Sequence, residues 1–142
     1  MTSADNRGGT ATDANTLVEL AARVKAATAE QQAELLNDAF AVVFGPPKRV
    51  MDDDGVWLEL RVRFDGLLKW RAFESAAMTL VPEGWDWSAG TGRGTGWATL
   101  GLTVTDRIGG SSDDEISREA STPALALVAA CLRARAAAES AK

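Results

Sequence analysis

The segment that most limits how this chain can fold is the Ala/Leu-rich run that follows Thr122-Pro123. Thr122 stands where a helix N-cap belongs, its hydroxyl able to accept a backbone N–H that the first helical turn leaves unpaired. Pro123 suits the first helical position, where its missing N–H removes no helical bond. Leu125, Val128, Ala129 and Leu132 then recur at helical spacing, and alanines as far as Ala138 keep several faces small. Small faces let another helix approach closely, so self-association through this helix, or through the first one, is expected. The result is a homodimer or a higher homo-oligomer.

The chain is 142 residues long and 46% apolar, enough for one core and without room for a second domain. Residues 1–14 mix Gly, Thr, Asp and Asn without apolar periodicity and are expected to form a disordered tail ahead of a single domain over residues 15–142. Leu17, Leu20, Ala21 and Val24 then mark a short helix. Thr28 and Gln31 have capping-box spacing before the stripe Leu35, Leu36, Ala39, Phe40 and Val43, which Gly45-Pro46-Pro47 stops. The two helices can also be read as one long helix. Asp52-Asp53-Asp54-Gly55 reads as a turn.

Strict alternation of apolar and charged residues over residues 58–64 predicts a strand. Leu58, Leu60, Val62 and Phe64 would face the core, with Glu59, Arg61 and Arg63 on the other side. A helix is expected over residues 72–80, carrying Phe73, Ala76, Ala77 and Leu80 on one stripe and ended by Pro82 and Gly84. Trp85-Asp86-Trp87 alternates again, and Trp97 to Thr105 resumes the pattern after the glycine-rich residues 90–96, which predicts a hairpin joined by a long flexible loop. Residues 106–120 mix Gly, Ser and acids and read as an exposed connection. The fold class is therefore α+β: a small antiparallel sheet of about three strands packed with helices in an αβα-type sandwich.

The run of residues 76–87 (Ala-Ala-Met-Thr-Leu-Val-Pro-Glu-Gly-Trp-Asp-Trp), followed by Ser121-Thr122-Pro123-Ala124-Leu125-Ala126-Leu127 and Cys131-Leu132-Arg133-Ala134-Arg135, resembles the phage ABA-sandwich domain family. The likeness spans residues 72–137, about half the chain. In that family a helix leads through Leu-Val-Pro-Glu-Gly-Trp into a small antiparallel sheet, and Thr-Pro-Ala-Leu-Ala-Leu opens the closing helix. The resemblance implies a phage or prophage protein of that architecture and supplies no catalytic residues. This chain departs from it in a longer N-terminal part.

Composition excludes several chemistries. There is no histidine, so the commonest general base and metal ligand is missing, and with a single cysteine no zinc site or internal disulfide can form. A net charge of −5 argues against non-specific nucleic-acid binding, which needs a surplus of Lys and Arg. Neither a signal-peptide pattern nor a membrane-length apolar run is present, and a cytoplasmic protein of the host cell is expected. No cofactor, no bound metal and no catalytic residue is expected. Asp52, Asp53 and Asp54 lack the spacing of a calcium loop.

The candidate ligand-binding residues are Trp85, Trp87, Arg93, Trp97, Arg61 and Arg63. Trp85 and Trp87 lie two apart and share a sheet face, where flat rings can stack a planar ligand. The alternative is that they cap the core, the commoner fate of tryptophan. Arg93 sits in a glycine-rich loop that fails both the Walker and the dinucleotide patterns but suits a lid. Arg61 and Arg63 can meet phosphates or pair with Glu59. Glu83 can act as a buried acid or fix its corner through backbone N–H groups, and Cys131 reads as a buried small hydrophobe. Together these point to a non-enzymatic accessory protein that sequesters a small nucleotide-type ligand, an anti-defence role. A protein-interaction or virion-associated module working through a helix face is the alternative.

Overall fold

The computed structural model describes residues 14–45, 55–92, 94–102 and 115–140. Helix α1 (Ala14–Ala26) and helix α2 (Gln32–Phe44) are separate, divided by Ala27-Thr28 and a short 3₁₀ turn, Ala29–Gln31. The Thr28 N–H donates to Gln31 Oε1 at 2.9 Å, the reaching-back half of a capping box. Gly45 closes α2 at a positive φ of 78°, a backbone conformation that glycine adopts without strain, and its N–H donates to Ala41 O at 2.9 Å.

Helix α3 (Val56–Lys69) replaces the strand expected over residues 58–64. Apolar residues at every second position satisfy a strand, but Trp57, Leu60, Phe64 and Leu67 in the same stretch also recur at i, i+3, i+7 and i+10. That second pattern wins because α2 offers Phe40 as a docking point. Its ring centroid lies 4.8 Å from Phe64 and 6.0 Å from Trp57, and Trp57 Nε1 donates to Gly45 O at 2.9 Å. Arg61–Asp65 and Glu59–Arg63 then become i,i+4 ion pairs, a helical device with no meaning in a strand.

Helix α4 (Phe73–Met78) follows a corner at Arg71 and leads through Gly84, φ 89°, into the sheet. Strands β1 (Trp85–Gly92), β2 (Thr95–Leu102) and β3 (Glu115–Ala120) form an antiparallel sheet in the order β1-β2-β3. The glycine-rich stretch is therefore mostly strand. Strand pairing runs out as far as Gly92 and Thr95, and Gly94 has φ 79°, so paired strand takes most of the place of the long loop expected. The third strand likewise comes from the segment read as a connection.

Helix α5 (Pro123–Ser140) starts where the sequence placed it, with the Leu125 N–H donating to Thr122 Oγ1 at 3.2 Å. It packs across β2 and β3, flanked by α1 on one side and α4 on the other. Ala98, Leu100 and Ala120 are buried beneath it, and cross-strand pairing puts Trp85, Trp87 and Ala89 on that same face. Every residue of 124–132 is buried within one copy, so the exposed positions of α5 lie further on, among residues 133–139. The helix core formers Leu20, Val24, Leu36, Phe40 and Leu80 join the same cluster, giving an α+β fold with one hydrophobic core. Among the described residues no helix is long and apolar enough to cross a membrane.

Candidate functional site

Helices pack at a distance set by the side chains between them, and here those side chains are unusually short. Ala21, Ala22 and Ala26 of α1, Ala129 of α5 and Ala98 of β2 leave a groove of about 950 Å³ between the two helices and the sheet. Its apolar floor is methyl groups. Its polar groups come from three different elements: Lys25 one turn after Ala21 and Ala22, Arg133 one turn after Ala129, and Arg118 from the edge strand β3. Thr99 and Glu119 complete the lining on the strand side.

The charge arrangement is uneven. Among the described lining residues Glu119 is the one carboxylate, against three cations, in a chain that carries a net charge of −5. Neither Lys25 nor Arg133 takes part in any ion pair among the described residues. Burial, and secondarily the nearby positive Arg133, hold the Arg118 guanidinium below arginine's ordinary pKa. The like charges of the two guanidiniums oppose each other in partly desolvated surroundings, a repulsion felt at Arg118. An anion placed between them relieves that repulsion. Two planar guanidinium forks and an ammonium are donor types suited to phosphate or carboxylate oxygens.

The residues singled out from the sequence are spread over the molecule. Trp85 is half-buried against the core and Trp87 is 38% exposed on the helix-bearing face. Trp97 borders the groove through β2, but its indole lies on the opposite face, 38% exposed and packed so closely over Gly90 that a Cβ there would stand 2.9 Å from the ring. The three tryptophans thus do not enclose a common cavity. Arg93 lies outside the described residues.

Arg61 and Arg63 no longer share a face, since two positions along a helix turn through about 200°. Arg61 is turned inward over Phe40, 4.5 Å from its centroid, with Nε donating to Asp65 Oδ1 at 3.0 Å and Nη2 to Asn37 Oδ1. It is a structural clamp between α2 and α3. Arg63 points outward beside Glu59, N–O 3.9 Å. Glu83 is exposed, so it is no buried acid. Cys131 is buried, and burial pushes its thiol up to about 12.

The convergence of the three groove cations has a weak local signature: Arg118 lies in a segment whose composition reads as a connection, and Lys25 and Arg133 are single charges on separate helices. The legible signal was the alanine spacing, Ala21, Ala22, Ala26 and Ala129, with a cation four residues after Ala21 and after Ala129. No family model, no curated protein and no solved structure gives a significant match to the chain.

Proposed function

We propose that this protein binds and holds a small anionic ligand of the nucleotide type in the alanine-lined groove, and does not transform it. The supporting observation is the convergence of Lys25, Arg118 and Arg133 on one groove in an otherwise acidic chain. The methyl floor offers apolar contact to a flat base or sugar, while the guanidiniums meet its phosphate. The resemblance to the phage ABA-sandwich family extends this reading to sequestration of a host defence signal in the cytoplasm of an infected cell.

Isothermal titration with cyclic and linear nucleotides, and with inorganic phosphate, tests it. Binding is expected to fall by about tenfold or more in Arg133→Gln and again in Arg118→Gln, because each removes a charge-assisted contact of about 1.5–3 kcal/mol. It should also weaken with salt. The ligand should be recovered intact by chromatography after the titration; its conversion would identify a hydrolase. Silence with every nucleotide and with phosphate refutes the proposal. A second reading, a protein-interaction module, is favoured by Leu58 and Val62 on the outer face of α3, 58% and 62% exposed.

A further inference from the structure

We infer that the outer face of α3 pairs in antiparallel with the same face of a second copy of this chain, forming a two-fold homodimer. The inference rests on observations separate from the groove. The inner face of α3 is committed to Phe40 through Trp57 and Phe64. The outer face carries Leu58, Val62 and Gly66 at successive turns, the first two 58% and 62% exposed.

Gly66 is the informative member of that track. Glycine inside a helix is unfavourable relative to alanine, and it is kept where the backbone or a neighbour demands it. Among the described residues neither demand exists within one copy. Gly66 has ordinary helical φ, and nothing lies within 4 Å of where its Cβ would stand. Opposite a second helix, the missing side chain becomes a slot.

The flanking charges select the partner and the direction. Glu59 and Arg63 are 72% and 65% exposed and only loosely paired with each other at 3.9 Å. With a two-fold axis beside residue 61, Leu58 drops between Val62 and Gly66 of the partner subunit. Glu59 then faces Arg63 of the partner subunit, and symmetry repeats the contact. A parallel two-fold pairing would instead carry the partner's copy of this flank to the other side of the seam, so the cross-pair would not form. Arg61 is turned inward onto Asp65 and Asn37, so it adds no like charge near the axis. An anionic lipid surface is disfavoured because Glu59 stands in the same flank as Arg63.

A single pair of fourteen-residue helices buries less than the ~1,200 Å² of stable interfaces, so the dimer is concentration-dependent. Sedimentation equilibrium of the full chain from about 1 to about 500 µM reads it directly. The wild type is expected to pass from monomer to dimer in that range. Val62→Glu and Arg63→Glu, both on exposed positions and checked for folding by circular dichroism, should each raise the dissociation constant about tenfold or more. The double reversal Glu59→Arg with Arg63→Glu should return it to within about threefold of wild type, since it restores both cross-pairs. Gly66→Ala should weaken the dimer while raising the thermal midpoint of the monomer, opposite signs that a purely structural glycine would not give. A wild type that stays monomeric throughout, a Val62→Glu variant that associates like wild type, or a double reversal as weak as Arg63→Glu alone overturns the inference.

Discussion

Replacing Gly96 by alanine probes the contact on which the groove and the core both depend, the seating of α5 on the central strand. A Cβ at Gly96 would stand 2.0 Å from the Thr122 carbonyl carbon, 2.2 Å from Pro123 N and 2.4 Å from Thr122 O. All three atoms are backbone, so none can swing aside. Ordinary contact between carbon atoms begins near 3.5 Å, and β2 must therefore part from the start of α5 by about 1.5 Å. That start is pinned from the other side. Thr122 Oγ1 donates to Gln32 Oε1 at 2.8 Å, and Ser121 Oγ donates to Ala27 O at 2.6 Å.

Forcing the elements apart costs about 1–3 kcal/mol as overpacking, and a broken Thr122–Gln32 bond adds about 1 kcal/mol. Alanine recovers about 0.5–1 kcal/mol by restricting the unfolded chain. The net is a loss of about 1–3.5 kcal/mol, a sizeable part of the ~5–15 kcal/mol that holds a domain together. Urea denaturation followed by far-UV circular dichroism measures it. Gly90→Ala is the internal control: the nearest atoms to its Cβ would be those of the Trp97 indole, at 2.9 Å, a 38% exposed side chain that can shift, so its effect should stay below about 1 kcal/mol. A Gly96→Ala protein within about 0.5 kcal/mol of wild type refutes the close seating of α5 on β2.

Other perturbations follow from single side chains. The Cys131 thiol ordinarily ionises near 9.0 and is raised to about 12 by burial, so the folded state holds its proton more tightly than the unfolded state does. Stability from this group is intact below about pH 9 and declines as pH climbs toward about 12; Cys131→Ala should flatten that part of the profile, and iodoacetamide should label the native thiol only as fast as the protein opens. Fast labelling under native conditions would contradict the burial. Arg135 Nε and Nη2 donate to Leu80 O at 3.2 and 2.9 Å, and Arg135→Ala should lower the urea-derived stability by about 2 kcal/mol, with Arg135→Lys recovering part of it. Arg71 is the one non-glycine residue at positive φ among those described, 57°; Arg71→Gly should raise the melting midpoint by relieving about 1 kcal/mol of strain, and a lower midpoint would mean that its guanidinium, 5.2 Å above the Phe73 ring, outweighs that strain.

What the sequence determined by itself were the features whose causes lie within a few residues. Thr122-Pro123 starts α5, Gly45 stops α2, Gly84 turns the chain into β1, and Trp85-Asp86-Trp87 and the Leu100 stretch become paired strands. Each is a local matter of caps, positive φ or side-chain parity, and needs no distant partner. Tertiary structure decided the rest. The stretch of residues 58–64 suits a strand or a helix equally by pattern, and only the aromatic surface of α2 selects the helix; with it, Arg61 and Arg63 separate onto different faces. β3 forms from a polar segment because the edge of β2 offers it backbone hydrogen bonds, which its composition does not announce. The groove exists because alanines on three elements meet, and its charge exists because Lys25, Arg118 and Arg133, far apart along the chain, are carried to its rim by that packing. A local pattern can fix the conformation of its own segment, but the juxtaposition of segments is a property of the whole core.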